Sequence, residues 1–294
     1  MTFEELRQVI TGKLRDAGVP DAAYDTFALL EYVSGMNRAA FELHKGENAG
    51  ARQEEELLSL AERRARRIPL QHLLGETEFM GLKFYVCPDV LIPRPDTETL
   101  AEHVLQLCRR KRTPRILDLC TGSGCIAVSL AKYLPEALVD ATDISGDALR
   151  CARRNAERNG CRSIRLAQGD LLEAYFPREE QSLPTGAYDV IVSNPPYIKT
   201  AEISTLMPEV RDHDPLLALD GHEDGLYFYR RIASQAPAYL KSQGHLCLEI
   251  GHDQAGDVSE LLLRAGFSEP AVIKDLSGND RVVTAQWKME TENV

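Results

Sequence analysis

The tetrapeptide Asn194-Pro195-Pro196-Tyr197 closes the apolar run Tyr188-Asp189-Val190-Ile191-Val192-Ser193. A run of this kind, stopped by two prolines, reads as a buried parallel strand opening into a rigid loop. Pro195 and Pro196 donate no backbone hydrogen bond, so their carbonyls are acceptors on a stiff scaffold. Asn194 adds a side-chain carbonyl and Tyr197 a flat face. Together the four have the groups to grip a planar NH2. In isolation they read equally well as a proline-rich strand-to-helix connection, so the loops at neighbouring strand ends decide the matter.

Upstream lies Asp118-Leu119-Cys120-Thr121-Gly122-Ser123-Gly124-Cys125-Ile126-Ala127, between a strand over 115–119 and a helix over 124–133. Glycine there allows a tight turn and close approach of backbone to a ligand. Gly122, Gly124 and Ala127 fit the dinucleotide fingerprint, with Asp143 the acidic residue roughly 20 positions on. A nicotinamide enzyme therefore competes on this loop alone. Three features tilt against it. Asp118 would set a negative charge near a pyrophosphate, whereas a cationic sulfonium bearing an amino group would welcome it. Gln168-Gly169-Asp170-Leu171, after a third strand, offers a carboxylate and an apolar residue where an adenine could be held. Hydride chemistry needs a catalytic group that Asn-Pro-Pro-Tyr does not offer. One carboxylate closing a strand is often only a helix cap; three at successive strand ends read as a site.

These loops need an α/β scaffold, and the second half of the chain supplies one. Strands over 115–119, 138–142, 164–167, 188–193 and 245–250 alternate with helices over 124–133, 145–159, about 224–241 and 253–265, and 272–275 and 281–288 close the sheet as a pair. This alternation implies a mostly parallel sheet with helices on both faces. Residues 2 to about 70 read instead as a small helical bundle. Leu6, Val9, Ile10 and Leu14 share one helical face, and further helices cover 22–33, 38–44 and 54–67. Between the two, 71–97 reads as a hairpin linker in which Pro93 and Pro95 bracket Arg94, and Asp96 or Thr97 caps a helix from Glu98.

The 294 residues suffice for two domains. A net charge of −11 argues against a protein that lives by non-specific phosphate binding, and the basic clusters at 63–67 and 109–112 read as solvated helix faces. No basic region followed by an apolar run opens the chain, and no stretch reaches a membrane span. Seven cysteines without a Cys-x-x-Cys pair suit a reducing cytoplasm and give no metal site.

Asp118 to Gly124, Asp143, Asp170 and Asn194-Pro195-Pro196-Tyr197 resemble the Rossmann-like class I methyltransferases that use S-adenosylmethionine. Within these the chain is similar to the protein-glutamine methyltransferases of bacterial peptide chain release factors. That similarity runs through Ile92-Pro93-Arg94-Pro95-Asp96-Thr97-Glu98, Asn-Pro-Pro-Tyr-Ile, Asp224-Gly225-Leu226, Leu248-Glu249-Ile250-Gly251 and Asp280-Arg281. The resemblance implies transfer of a methyl group to the glutamine of a release factor's Gly-Gly-Gln loop, leaving S-adenosylhomocysteine, with no nucleic acid required. Asn194, Pro195 and Tyr197 would be catalytic, with Pro196 also contacting substrate. Asp143 would bind the ribose hydroxyls, Asp170 and Leu171 the adenine, and Asp118 with Cys120, Thr121, Gly122, Ser123 and Gly124 the amino-acid end, Asn194 adjoining. The helical domain would dock the partner. Cys120 and Leu171 depart from the pattern: Cys120 replaces a loop glycine, and Leu171 an aromatic found in some relatives. Methylation of a ribosomal-protein glutamine or of a nucleic-acid adenine remain alternatives, as does a module that only binds the cofactor.

Overall fold

Thr2 starts the first helix as its N-cap. Its hydroxyl accepts the Glu5 amide at 3.2 Å while the Glu5 carboxylate accepts the Thr2 amide at 2.8 Å, a reciprocal box that satisfies donors a helix start leaves bare. This helix, α1 (Phe3–Asp16), packs with α2 (Ala22–Ser34), α3 (Arg38–His44), α4 (Ala51–Ala65) and α5 (Leu70–Leu74). Their core centres on Leu6, Ile10, Leu14, Leu29, Phe41 and Leu57. Val9, expected on the inner face, is 48% exposed, because it lies off the ridge that Leu6, Ile10 and Leu14 make at four-residue spacing.

The computed structural model describes residues 1–176, 181–268 and 270–288. Its contacts divide the chain into Met1–Glu76 with Met207–His213, and Thr77–Leu206 with Asp214–Val294. The short excursion into the first unit explains a misreading of the basic cluster at 63–67. Arg64 is not a solvated side chain but 5% exposed. Its Nε donates to Asp25 at 2.6 Å and its Nη2 to Glu209 at 2.9 Å, and Arg67 donates twice to Glu209, at 2.6 and 2.5 Å. Burial alone would raise the Glu209 pKa, but the Arg67 and Arg64 guanidinium groups outweigh it and hold the carboxyl at about 2.

In the second unit β1 (Glu76–Phe79) and β2 (Leu82–Tyr85) form a hairpin, and α6 (Glu98–Cys108) follows a turn at 95–97. The main sheet is built from β3 (Arg115–Leu119), β4 (Leu138–Asp143), β5 (Arg165–Gln168), β6 (Tyr175–Phe176), β7 (Gln181–Ser182), β8 (Tyr188–Ser193), β9 (Leu240–Glu249), β10 (Ala271–Lys274) and β11 (Asp280–Gln286). Their order is β10-β11-β9-β8-β3-β4-β5-β6-β7. The run β9-β8-β3-β4-β5 is parallel throughout, and β11 and β10 join antiparallel. The mostly parallel α/β sheet expected above is therefore what the chain forms. Helices α7 (Cys125–Tyr133), α8 (Gly146–Arg158), α10 (Tyr227–Gln235) and α11 (Ala255–Arg264) flank it, and the small α9 (Pro208–Arg211) lies in the first unit's returning segment. Every residue of β8 is buried, as a strand covered on both faces requires.

From β3 the chain winds out through β4 and β5, then returns to β8 and β9 on the other side. The strand order thus reverses between β3 and β8. Ligands of open α/β sheets sit beyond the carboxyl ends of the strands at such a point.

Candidate active site

A cavity of ≈ 430 Å³ opens beyond the carboxyl ends of β3, β4, β5 and β8, within the size range of small-molecule sites. Its wall includes Cys120, Thr121, Gly122, Ser123, Asp143, Asp170, Leu171, Asn194 and Pro196, residues separated by up to 76 positions in sequence (196 − 120). Asp118, Gly124, Pro195 and Tyr197 do not line that wall; Pro195 adjoins it through its neighbours Asn194 and Pro196, which do.

Asp118 is wholly buried at the end of β3. One carboxyl oxygen accepts the Thr121 hydroxyl at 2.6 Å and the Ala127 amide at 3.2 Å, tying the loop to the first turn of α7. Burial lifts its pKa to about 7, against those two hydrogen bonds. Cys120, Gly122 and Gly124 all have positive φ, at 57°, 55° and 79°. At Gly122 an added Cβ would meet nothing within 4 Å, whereas at Gly124 it would lie 3.0 Å from the Ala152 Cβ. The first glycine therefore leaves room on the ligand side, and the second lets α8 pack close. Asp143 accepts the Gly122 amide and the Ser145 amide, each at 2.9 Å. It fixes the glycine turn and the start of α8 while facing the cavity, and burial raises its pKa.

Asp170 is clamped by Arg231 from α10, whose Nη1 lies 2.9 and 2.8 Å from the two carboxylate oxygens. Arg231 and the adjoining Tyr227, Phe228 and His222 also line the cavity. Tyr227 and Phe228 meet edge to face at 5.1 Å, and His222 lies 4.2 Å from Tyr227. Planar faces thus stand in the same wall as Leu171. Reasoning from sequence missed this group: its helix carries no motif, and its only signal is an aromatic pair on a helix following Asp224-Gly225-Leu226.

The Asn-Pro-Pro-Tyr loop is clasped from outside. Ile198 donates to the Leu219 carbonyl at 3.0 Å, and Gly221 donates back to Ile198 at 2.8 Å. The Gln254 amide donates to the Tyr197 carbonyl at 3.1 Å. Gly225 must be glycine here, since a Cβ would stand 2.5 Å from the Tyr197 carbonyl oxygen. The Tyr197 ring is half-buried against the sheet core. Thr97 makes no side-chain helix cap, contrary to the reading above. Its hydroxyl instead accepts the Asn194 Nδ2 at 3.3 Å, which leaves the Asn194 side-chain oxygen as an acceptor for a ligand. Arg94, also on the cavity wall, donates to buried Asp214 at 2.7 Å.

The arrangement can hold an adenosine-sized ligand along the β3–β5 loops and a planar NH2 group at Asn194. Residues 95–210 match the methyltransferase small domain family, and residues 5–75 match the PrmC N-terminal domain. A release factor glutamine methyltransferase of Geobacter sulfurreducens is 43% identical over 282 residues, 96% of this chain and 95% of that protein. One from Deinococcus radiodurans is 41% identical over 286 residues, 97% and 99% of the two chains. Among solved structures, a methyltransferase from Pyrococcus furiosus gives a TM-score of 0.51 at 19% identity, over 78% of this chain and all of that one, a likeness of fold.

Proposed function

The chain belongs to the release factor glutamine methyltransferases, and from that premise we propose that it methylates the side-chain amide nitrogen of the glutamine in a release factor's Gly-Gly-Gln loop, using S-adenosylmethionine. The observation that carries this reading is the meeting, in one cavity, of Asn194 with the glycine loop, Asp143 and Asp170. The donor set suits the cofactor. Asp143 and Asp170 are acceptors for ribose and adenine, Gly122 opens space for its amino-acid end, and the aromatic pair at 227–228 offers flat faces.

A glutamine amide nitrogen is a poor nucleophile because its lone pair is delocalised into the carbonyl. The cofactor supplies an electrophilic methyl on a sulfonium. Asn194 accepts one amide N–H through its side-chain oxygen, and the Pro195 carbonyl accepts the other. These acceptors favour positive charge growing on the nitrogen, a preorganised electrostatic contribution, and fix it in line, a proximity contribution. Tyr197 buttresses the loop from the core side. No general base is required, since the methylated nitrogen sheds its proton afterwards. The helical unit serves as the surface that docks the release factor.

The test is transfer of label from S-adenosylmethionine to four acceptors offered separately: a release factor, the same factor with its loop glutamine changed to alanine, a ribosomal protein and duplex DNA. Label on the intact factor alone is the expected result. Label on DNA or the ribosomal protein instead would keep the cofactor and overturn the partner. Asn194→Ala should lower kcat about 100-fold or more, the scale of a lost oxyanion-hole donor, with cofactor affinity little changed.

A further inference from the structure

Behind Asn194 lies a buried carboxyl group that the steps above leave unused. Asn194 and Glu249 are the residues that follow the paired Ser193 and Leu248 of β8 and β9, so they stand one rung beyond the last pair of the parallel ladder. Glu249 is 2% exposed and is absent from the cavity wall. The Thr97 hydroxyl and the Asn194 side chain are near enough to its carboxyl group to favour the charged form without closing a full hydrogen bond to it, and its Oε2 has no hydrogen-bond partner among the described residues. Thr97, 3% exposed, accepts the Asn194 Nδ2 at 3.3 Å, which frees its own proton for Glu249.

The other polar groups around Glu249 are engaged elsewhere. Arg281, on β11, lies 3.1 Å from Asp275 and 3.3 Å from Asp96. The Tyr229 hydroxyl, on α10, donates to the Glu249 backbone carbonyl at 2.8 Å. Tyr197 and Cys125 are further ionisable groups close enough for the Glu249 charge to raise their pKa values. A carboxyl buried this deeply with one oxygen unsatisfied is costly to folding, and an apolar residue would serve packing better.

We infer that Glu249 is a positioning residue for methyl transfer, acting through Thr97 to orient and polarise Asn194. The chain runs from substrate N–H to the Asn194 oxygen, from Asn194 Nδ2–H to the Thr97 hydroxyl, and from that hydroxyl to the Glu249 carboxylate. Each link polarises the next. A negative end strengthens the Asn194 oxygen as an acceptor at the moment positive charge grows on the substrate nitrogen. Proton transfer along the chain is not involved; Glu249 needs only to be ionised. Burial lifts its pKa to about 7, with Thr97 the first of the groups that oppose the rise, so the active form becomes dominant above neutrality.

This rests on the amide grip assigned to Asn194, and the variants separate the two ideas. Transfer to the release factor would be followed from pH 5.5 to 9 at saturating cofactor in the wild type, Glu249→Gln, Thr97→Val, Thr97→Ser, Asn194→Ala and the Asn194→Ala/Glu249→Gln pair. The wild type should show kcat climbing through neutrality. Glu249→Gln should lose that climb and fall roughly tenfold or more, the scale of one hydrogen bond to a charged group, with cofactor affinity unchanged and Tm unchanged or raised. Thr97→Val should follow it, Thr97→Ser should retain most activity, and Glu249→Gln should cost nothing further once Asn194 is alanine. A Glu249→Gln enzyme that keeps wild-type kcat and pH profile, or loses activity only in step with Tm, overturns the inference while Asn194→Ala still tests the grip. Normal turnover by Asn194→Ala overturns the grip itself.

Discussion

Cys120 holds a left-handed conformation, φ 57°, in a loop where Gly122 and Gly124 make similar turns. A side chain there costs about 1–2 kcal/mol relative to glycine. Against this, the thiol is half-buried against the sheet core, and glycine would loosen the unfolded chain by about 0.4–1 kcal/mol. The two effects nearly cancel, so Cys120→Gly should leave Tm within a few degrees of wild type. Cys120→Val has no such offset, because a β-branched residue at positive φ is a true outlier, and calorimetry should show a loss of about 2 kcal/mol. The strain at Cys120 was foreseeable because a family glycine is replaced there. Leu171, at φ 53°, gave no comparable signal. Thr97 read only as a helix cap, Glu249 only as part of a stretch that carries the resemblance, and Arg231 as neither. Each takes its role from a partner 60 or more positions away, as Thr97 does from Asn194, and local pattern carries nothing of such a meeting.

At the scale of elements, the loop after β8 is stiff because a second loop lies against it with no side chain between. Gly225, at φ 72°, and Gly278, at φ 85° in the β10–β11 turn, would be equally strained by alanine, but only at Gly225 would the new Cβ meet the Tyr197 carbonyl, at 2.5 Å. Gly225→Ala should therefore cut kcat at least tenfold while Gly278→Ala leaves it near normal and both remain folded by circular dichroism. A result with the two variants equally active would mean that the clasp does not set the loop. Most of this layer was legible. The double proline ended β8 where expected, and apolar runs located the parallel strands. The start of β9 was not legible: the strand runs from Leu240 rather than 245, through a polar stretch where Gln243 sits at φ 63° and the register with β8 shifts. A bulge breaks the alternation that announces a strand. The two-residue strands at 175–176 and 181–182 were likewise too short to leave a period.

Across the whole molecule, Glu249 and Asp118 in one unit and Glu209 in the other make stability respond to pH in opposite directions. Folded Glu249 and Asp118 keep their protons up to about 7, whereas unfolded carboxyls release theirs near 4.5 and 3.8. The folded state therefore binds more protons between those values and about 7, and its stability falls as pH rises through that window. Glu249→Gln should flatten this fall, measured as Tm at pH 5, 6.5 and 8. Glu209 works the other way: held at about 2 against an ordinary 4.5, it contributes stability above 4.5 that is lost as pH drops through 2. Glu209→Ala would leave Arg64, at 5% exposure, with Asp25 and the Ile68 carbonyl, and removing one charged partner of a buried pair costs roughly 3–5 kcal/mol. Proteolysis should then cut within 207–213 far faster than in wild type. The same excursion bears on synthesis. The first unit's opening stretch ends at Glu76 but takes its last piece from 207–213, so 133 residues (209 − 76) must still be translated before Glu209 exists. At roughly 5–20 residues per second a nascent chain waits about 7–27 s with Arg64 and Arg67 lacking their shared counter-ion. The helical unit, first to leave the ribosome, is therefore completed only after the β8 loop has followed it out.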